Sequence, residues 1–290
     1  EFKPKYGDSP LYEHHTTSLV FNDPPAHTRV RRLIASALLP KAIAYLQPGL
    51  VRLVDSLRDN LERGQTVDLI GDFASAIPIE VIGNLLDVPK TDRAPLRDWS
   101  LAILGALEPA LSPEVERRGN DAVSDFSAYL ETLIADRRAK PGDPEIDVLT
   151  RLIQGDDSGE MLSAAELIHN CIFLLNAGHE TTTNLIGNGL VLLARHPDQR
   201  QALINNPALV KSTVEEVLRF ESSNQLGNRM TIASVEIDGI ELAPGTPVTL
   251  CMGAANRDPD RFERPEQFDI TRKPKHNLAF AAGIHQCVGM

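Results

Sequence analysis

Aromatic side chains are scarce in this sequence, making up 5% of its 290 residues with a single Trp. The core must therefore rest on Leu, Ile, Val and Ala, which favours helices. Cysteine is sparser still. Cys171, Cys251 and Cys287 are odd in number and scattered in spacing, which excludes a disulfide framework and fits a reducing, cytoplasmic setting. Positive charge is also short: 29 Lys and Arg face 40 Asp and Glu, a net charge of −11. A broad nucleic-acid surface is excluded on that balance, although a local basic patch is not. No run of eighteen uninterrupted apolar residues occurs, so no membrane span is expected in this stretch. What is present is ordinary for a folded chain: 42% hydrophobic and 24% charged residues suffice for a sizeable core. The length is compatible with one large domain.

Turn and cap signals divide the chain. Asp23-Pro24-Pro25 suits a helix start, with Asp23 as N-cap and proline in the first turn; the helix runs from about Ala26 to Leu38 and ends at Pro40. A second spans Lys41 to Leu61 and closes at Gly64. Two or three shorter helices are expected within residues 72–140, broken by Pro89, Pro109 and Pro113. Ala139 to Gly159 reads as loops around a short helix. Ser163 with Glu166 three residues later forms a capping box, and nothing forces a stop until His196-Pro197, giving a helix of about 33 residues, roughly 50 Å. Apolar residues cover nearly all its faces, the pattern of a buried central helix. Pro207 opens a helix to about Glu221. Val235, Ile237, Ile240 and Leu242 flank Asp238-Gly239, a hairpin signal, and Pro244-Gly245 turns the chain into Val248-Thr249-Leu250. A mainly α fold with a small β-sheet region is expected.

Four clusters carry chemistry. In Phe280-Ala281-Ala282-Gly283-Ile284-His285-Gln286-Cys287-Val288-Gly289, glycines bracket a cysteine, letting the backbone approach a flat ligand and turn amides toward a thiolate. A buried cysteine in a turn is the plainer alternative; a His-x-Cys zinc site is weaker, having no second Cys/His pair nearby. In the long helix, Ala177-Gly178-His179-Glu180-Thr181-Thr182-Thr183 interrupts an apolar run with poor helix formers and an acid. Either the hydroxyls bond back to the preceding turn and Glu180 meets a buried base, or the helix is widened to hold a small ligand and deliver protons. Glu216 and Arg219, three apart, can pair on one helix face. His27 and Arg31 share a face too, within an Arg-rich patch containing Arg29 and Arg32.

The first segment resembles the haem-binding loop of the cytochrome P-450 family, Phe-x-x-Gly-x-His-x-Cys-x-Gly, at every fixed position, with Ala281 where many members carry Gly. The helix segment resembles the family's Ala-Gly-x-Asp/Glu-Thr-Thr motif, and Glu216 to Arg219 its Glu-x-x-Arg motif. Asp23-Pro24-Pro25-x-His27-Thr28-Arg29-x-Arg31 resembles the propionate-binding helix. The motifs run in family order from about residue 20 to Met290. The resemblance implies a single haem-thiolate domain over 1–290, incomplete at both ends, with haem b held by the Cys287 thiolate. It implies that Ala177, Gly178, Phe280 and Gly283 line the cofactor, and that His27, Arg31, Arg229 and His285 meet its propionates. It further implies Glu180 and Thr181 as the catalytic acid–alcohol pair, and Glu216–Arg219 as a structural ion pair. The third member of that brace often lies in Pro-Glu-Arg-Phe; here the stretch is Pro265-Glu266-Gln267-Phe268. The implied reaction puts one atom of O2 into a small lipophilic substrate, with electrons from a ferredoxin and its reductase. A peroxide-driven enzyme and a non-catalytic haem sensor or carrier are the alternatives. Asn170, Phe173, Leu174, Ser223, Asn224, Gln225 and Leu226 are expected at the substrate pocket.

Overall fold

The computed structural model describes residues 7–61, 64–108, 110–273 and 275–290; Pro109, expected to break a helix, lies outside them. The described chain falls into two compact units, the first ending at Thr183 and the second running from Asn184 to Val288.

The first unit is helical. Helix α1 (Pro10–Thr17) was not foreseen. Ser9 caps it by accepting from Tyr12 N–H, and the Leu11 N–H donates to Asn120 Oδ1 at 3.0 Å. A 3₁₀ turn, Leu19–Phe21, leads to α2 (Ala26–Ala37) and α3 (Pro40–Asp59), both within two residues of expectation. The N-cap of α2 is Pro25 and not Asp23, and no side chain caps the helix; Asp23 contributes only its main-chain carbonyl, which accepts from His27 N–H. A π-turn at Ile70–Ala74 precedes α4 (Ala76–Leu85); a 3₁₀ turn at Lys90–Asp92 precedes α5 (Leu96–Gly105).

Pro113 does not end a helix but begins one. Ser112 accepts from Val115 N–H, Pro113 takes the first turn, and α6 (Pro113–Ala139) runs 27 residues, against the short helices expected. Proline loses no hydrogen bond at that position, so its place relative to a cap decides its effect. After α7 (Val148–Gln154) comes α8 (Ala164–Arg195), whose capping box forms as expected: Glu166 N–H donates to Ser163 Oγ, and Ser163 N–H to Glu166 Oε2. Leu167, Cys171, Ile172, Leu174 and Leu175 are buried, but Leu190 and Val191 are 37% and 48% exposed. Burial on every face therefore holds for the first half of α8 only.

The second unit opens with the end of α8. Pro197, expected only as a stop, also starts α9 (Pro197–Asn205). A 3₁₀ turn at Pro207–Leu209 feeds α10 (Val210–Phe220). Leu192, Val217, Phe268 and Ile270 form the buried core, with Leu185, Leu193 and Phe220 around it. Strand β1 (Leu226–Met230) was not foreseen, because Gly227-Asn228-Arg229 lacks strand character. Strands β2 (Val235–Ile237) and β3 (Ile240–Leu242) form the expected hairpin, with Asp238 and Gly239 at φ of 50° and 77°, as a type I′ turn requires. Strand β4 (Pro247–Cys251) pairs antiparallel with β1, Leu226 opposite Cys251. Helix α11 (Met252–Ala255) and a 3₁₀ turn at Gly283–His285 complete the unit. Among the described residues no single helix is long and apolar enough to cross a membrane; α2 and α3 meet that test only jointly, across a 54° bend.

Candidate functional site

In the first unit, α2 sorts its four basic residues. Arg29 pairs with Glu166 and donates to the Met161 carbonyl at 3.3 Å. Arg32 pairs with Glu160 and, at 3.2 Å, with Asp156. These two staple α2 to the α7–α8 connection. Arg31 is half-buried and has no ion pair among the described residues. His27, four residues earlier, is buried, and burial together with the Arg31 charge lowers its pKa while Asp23 opposes the shift. A neutral imidazole beside an uncommitted guanidinium suits an anionic ligand.

Helix α8 carries the second group. Thr181 Oγ1 donates to the Ala177 carbonyl at 2.7 Å and Thr183 Oγ1 to the His179 carbonyl at 3.0 Å, so the hydroxyls do bond back to the preceding turn. Glu180 does not meet a buried base: it is half-buried with no ion pair among the described residues. Ala177, Thr181 and Thr182 are exposed, Gly178 and Glu180 half-buried, and His179 and Thr183 buried. Gly178 packs closely on α4: a Cβ there would lie 2.6 Å from Ile82 Cδ1, so the Ile82 side chain would have to shift. His179 is buried and its Nδ1 meets Ser100 Oγ at 3.2 Å. Asn170, expected at a pocket wall, is committed to structure: it accepts from Leu19 N–H at 2.9 Å and donates to the Glu166 carbonyl at 2.8 Å. Leu174 is buried and Phe173 half-buried.

Besides His27, three imidazoles of this unit are held neutral: His14, His169 and His179. His14, His15 and His169 cluster between α1 and α8, with His14 centred 5.3 Å from His15 and 5.7 Å from His169. Burial, then His15 and His169, lowers the pKa of His14; burial lowers His169 against the opposing pull of Glu13. Burial and Arg97 bring His179 to about 4. The unfolded chain, titrating near 6.5, binds these protons first, so stability is complete above that pH and declines as pH falls below it. His179 alone accounts for at most about 3 kcal/mol between pH 6.5 and 4. The melting temperature is expected to drop steadily over that interval in acid titration, and His179→Gln is expected to flatten the drop.

In the second unit the cysteine loop is closed by its own backbone. Cys287 N–H donates to the Phe280 carbonyl at 3.0 Å, Ala281 N–H to Leu278 and Gln286 N–H to Gly283. Cys287 is exposed. Gly283 adopts φ 74° and Ala281 φ 55°, so alanine keeps the left-handed turn at a steric cost of about 1–2 kcal/mol. Ala281→Gly is expected to raise unfolding stability by about 0.5–1 kcal/mol in urea titration, the relief exceeding the added unfolded-state entropy.

Glu216 and Arg219 form the anticipated pair, bidentate at 2.8 Å and 98% buried. The third member, missing at Gln267, is Arg272, whose Nε meets Glu216 Oε2 at 3.1 Å. Gln267 contributes its carbonyl to Arg219 and Arg272 instead. The brace reaches the loop through Asn256: Arg219 donates to its carbonyl at 2.9 Å, and its Oδ1 accepts from Leu278 N–H at 2.6 Å. Neither Arg272 nor Asn256 was found from the sequence, where neither carries a local signal. Arg229, on β1, is exposed and donates only to the neighbouring Asn228 carbonyl among the described residues. His285 is half-buried in the 3₁₀ turn. Ser223 is half-buried, Asn224 and Gln225 are exposed, and Leu226 opens β1.

Among the described residues no three His, Cys, Asp or Glu side chains are grouped to hold a metal ion. A metal on Cys287 would therefore take one protein ligand and bring its other donors with it.

The family model "Cytochrome P450" matches residues 103–290. Cytochrome P450 107B1 of Saccharopolyspora erythraea is 41% identical over 268 residues, covering 92% of this chain and 64% of that protein. The biotin biosynthesis cytochrome P450 of Bacillus subtilis is 35% identical over 289 residues, covering 100% of this chain and 72% of that protein. The solved structure of P450BioI in complex with an acyl carrier protein bearing hexadec-9Z-enoic acid superimposes with a TM-score of 0.90 at 35% identity, covering 98% of this chain and 72% of that one. The chain thus spans just under two thirds of the length of the first of these relatives.

Proposed function

The chain belongs to the cytochrome P450 family, and from that premise we propose that it is the greater part of a haem-thiolate monooxygenase acting on a small lipophilic molecule. The observation that carries this reading is the exposed thiol of Cys287, at the end of a loop closed onto Phe280, with no cluster of protein ligands around it among the described residues. One protein thiolate would suit an iron whose other donors are brought by a porphyrin.

The other residues fit the same group. Arg31 and Arg229 have no ion pair among the described residues, as cations reserved for propionates should; His27 and His285 are the donors that accompany them. Ala177 brings little side-chain bulk to the exposed face of α8, Gly178 beside it adds none, and Phe280 and Gly283 shape the loop on the thiolate side. Haem, when bound, supplies the activation of molecular oxygen and the insertion of one atom into a C–H bond or alkene.

The protein's own contribution is proton handling and placement. Thr181 donates its hydroxyl proton to the Ala177 carbonyl, and we assign its oxygen the part of accepting from a water. Glu180, half-buried and without a counter-cation among the described residues, exchanges protons between that water and solvent. Its retention beside Thr181 favours delivery of protons during reductive oxygen cleavage over peroxide-driven turnover. A ferredoxin with its reductase is the electron source we assign. Phe173, Leu174 and the Ser223 to Leu226 segment bear on which substrate is admitted.

The test uses the full-length haem protein with a ferredoxin, its reductase, 18O2 and a panel of fatty acids, terpenes, aromatic acids and polyketides. Product carrying one labelled atom is expected with at least one compound. If reductant is consumed no faster than background with every compound, the monooxygenase assignment fails.

A further inference from the structure

The turn of α8 that carries Glu180 and Thr181 is gripped on its buried side. Ile82 of α4 lies so close to Gly178 that a Cβ there would force the Ile82 side chain to shift. One residue on, His179 is 2% exposed and Ser100 wholly buried, and the two meet at 3.2 Å. The other ring nitrogen of His179, Nε2, is buried without a hydrogen-bond partner among the described residues. A buried imidazole with one unmet nitrogen is costly, and such groups in folded proteins call for a reason. An apolar residue would fill the same space without that cost.

Ser100 is itself well anchored. Its neighbour Trp99 stacks on Phe126 of α6, with ring centroids 5.0 Å apart, so α5 and α6 present the hydroxyl from a rigid pair. The local helix needs such an anchor. The Ala177 and His179 carbonyls each accept a threonine hydroxyl as well as serving the helix, an arrangement that bends helices and weakens their main-chain bonds. His179 points toward α5, while Ala177 and Thr181, two residues to either side, are exposed on the opposite face.

The geometry points to His179 as a positioning residue: its bond to Ser100 sets the depth and rotation of the α8 turn that presents Thr181 and Glu180. The residue touches no substrate and acts through the turn. This rests on the monooxygenase reading for its consequence, though not for its geometry. With the bond cut, Thr181 and its water stand at the wrong place, and protons reach reduced oxygen without cleaving it productively. Two electrons and two protons then leave as hydrogen peroxide instead of water and hydroxylated product.

The full-length haem protein carries the test in three variants: Ser100→Ala, which deletes one oxygen atom; His179→Leu, which keeps bulk without the bond; and His179→Asn, whose amide stands where Nδ1 was. Two quantities are read, the infrared carbon–oxygen stretch of the ferrous carbon-monoxide adduct and the fraction of electrons recovered as peroxide. Ser100→Ala and His179→Leu are expected to shift and broaden the stretch and to raise the peroxide fraction about fivefold, the worth of one hydrogen bond. His179→Asn is expected to restore both, with the thiolate absorption unchanged throughout. Should His179→Leu fail to fold, Ser100→Ala decides. A stretch and peroxide fraction identical to the parent in Ser100→Ala would overturn the assignment and leave His179 as packing. Absence of any reductant-driven oxygen uptake in the parent would sink the monooxygenase reading instead, and the infrared comparison would still judge His179.

Discussion

Cys287→Ser, made in the full-length protein, is expected to abolish the red-shifted absorption of the reduced, carbon-monoxide-treated haem while leaving the fold intact. A thiolate donates electron density into the iron, and that donation is the source of the shift. Serine places an oxygen at the same position but remains a neutral alcohol at neutral pH, a poor ligand for this metal. No other cysteine is in a position to substitute. Cys171 is fully buried in α8, and burial pushes its thiol up to about 12, far from a thiolate at working pH. Cys251 is exposed at the end of β4, so Cys251→Ser is the matched control and should preserve the spectrum. The loop tolerates the exchange because its closure uses the main chain: Cys287 N–H to Phe280 and Gln286 N–H to Gly283 do not involve the sulfur. An unchanged absorption band in Cys287→Ser, or its loss in Cys251→Ser, would remove the basis of the assignment.

The largest loss of stability is expected from Glu216→Ala. Its two oxygens accept from Arg219 Nε and Nη2 at 2.8 Å, from Arg272 Nε and from the Asp269 N–H at 3.0 Å. Removing the carboxylate leaves Arg219, 2% exposed, and Arg272, 15% exposed, as adjacent guanidinium ions with nothing between them. Breaking one side of a buried pair costs about 3–5 kcal/mol, most of it the stranded charge. That is a large share of the roughly 5–15 kcal/mol by which domains are stable. Arg219→Ala should cost a similar amount. Replacing Glu216 and Arg219 together by leucines should cost less than Glu216→Ala, since Arg272, 15% exposed, is then the one cation of the brace left without its acid. Urea unfolding of the four proteins supplies the comparison. A loss below about 1 kcal/mol for Glu216→Ala would mean that water reaches the site and that the brace is no more than a surface pair.

The brace also shows what was legible in the chain and what was not. Glu216 and Arg219 are three residues apart on a helix, and that spacing alone places them face to face. Their third member is at Arg272, more than fifty residues away, reached only because the chain after α11 folds back over α10. The basic patch on α2 divides in the same way. Three arginines within four residues look alike in sequence, yet Arg29 and Arg32 are claimed by Glu166, Glu160 and Asp156, acids that lie far along the chain. Which cation stays uncommitted was decided by those acids.

Determined by the sequence itself were the features whose physics is local. The Ser163–Glu166 box starts α8, His196-Pro197 stops it, Asp238-Gly239 makes the hairpin turn, and the glycine and cysteine spacing around Cys287 defines its loop. In each case the interacting atoms are a few residues apart, so the residue types settle the outcome. Left to the tertiary structure were α1, whose buried Leu11 and His14 matter only against α6 and α8; β1, a strand only because β4 pairs with it; and the bond from His179 to Ser100. Those elements have weak preferences of their own, and burial against distant segments supplies the free energy that their local sequence lacks.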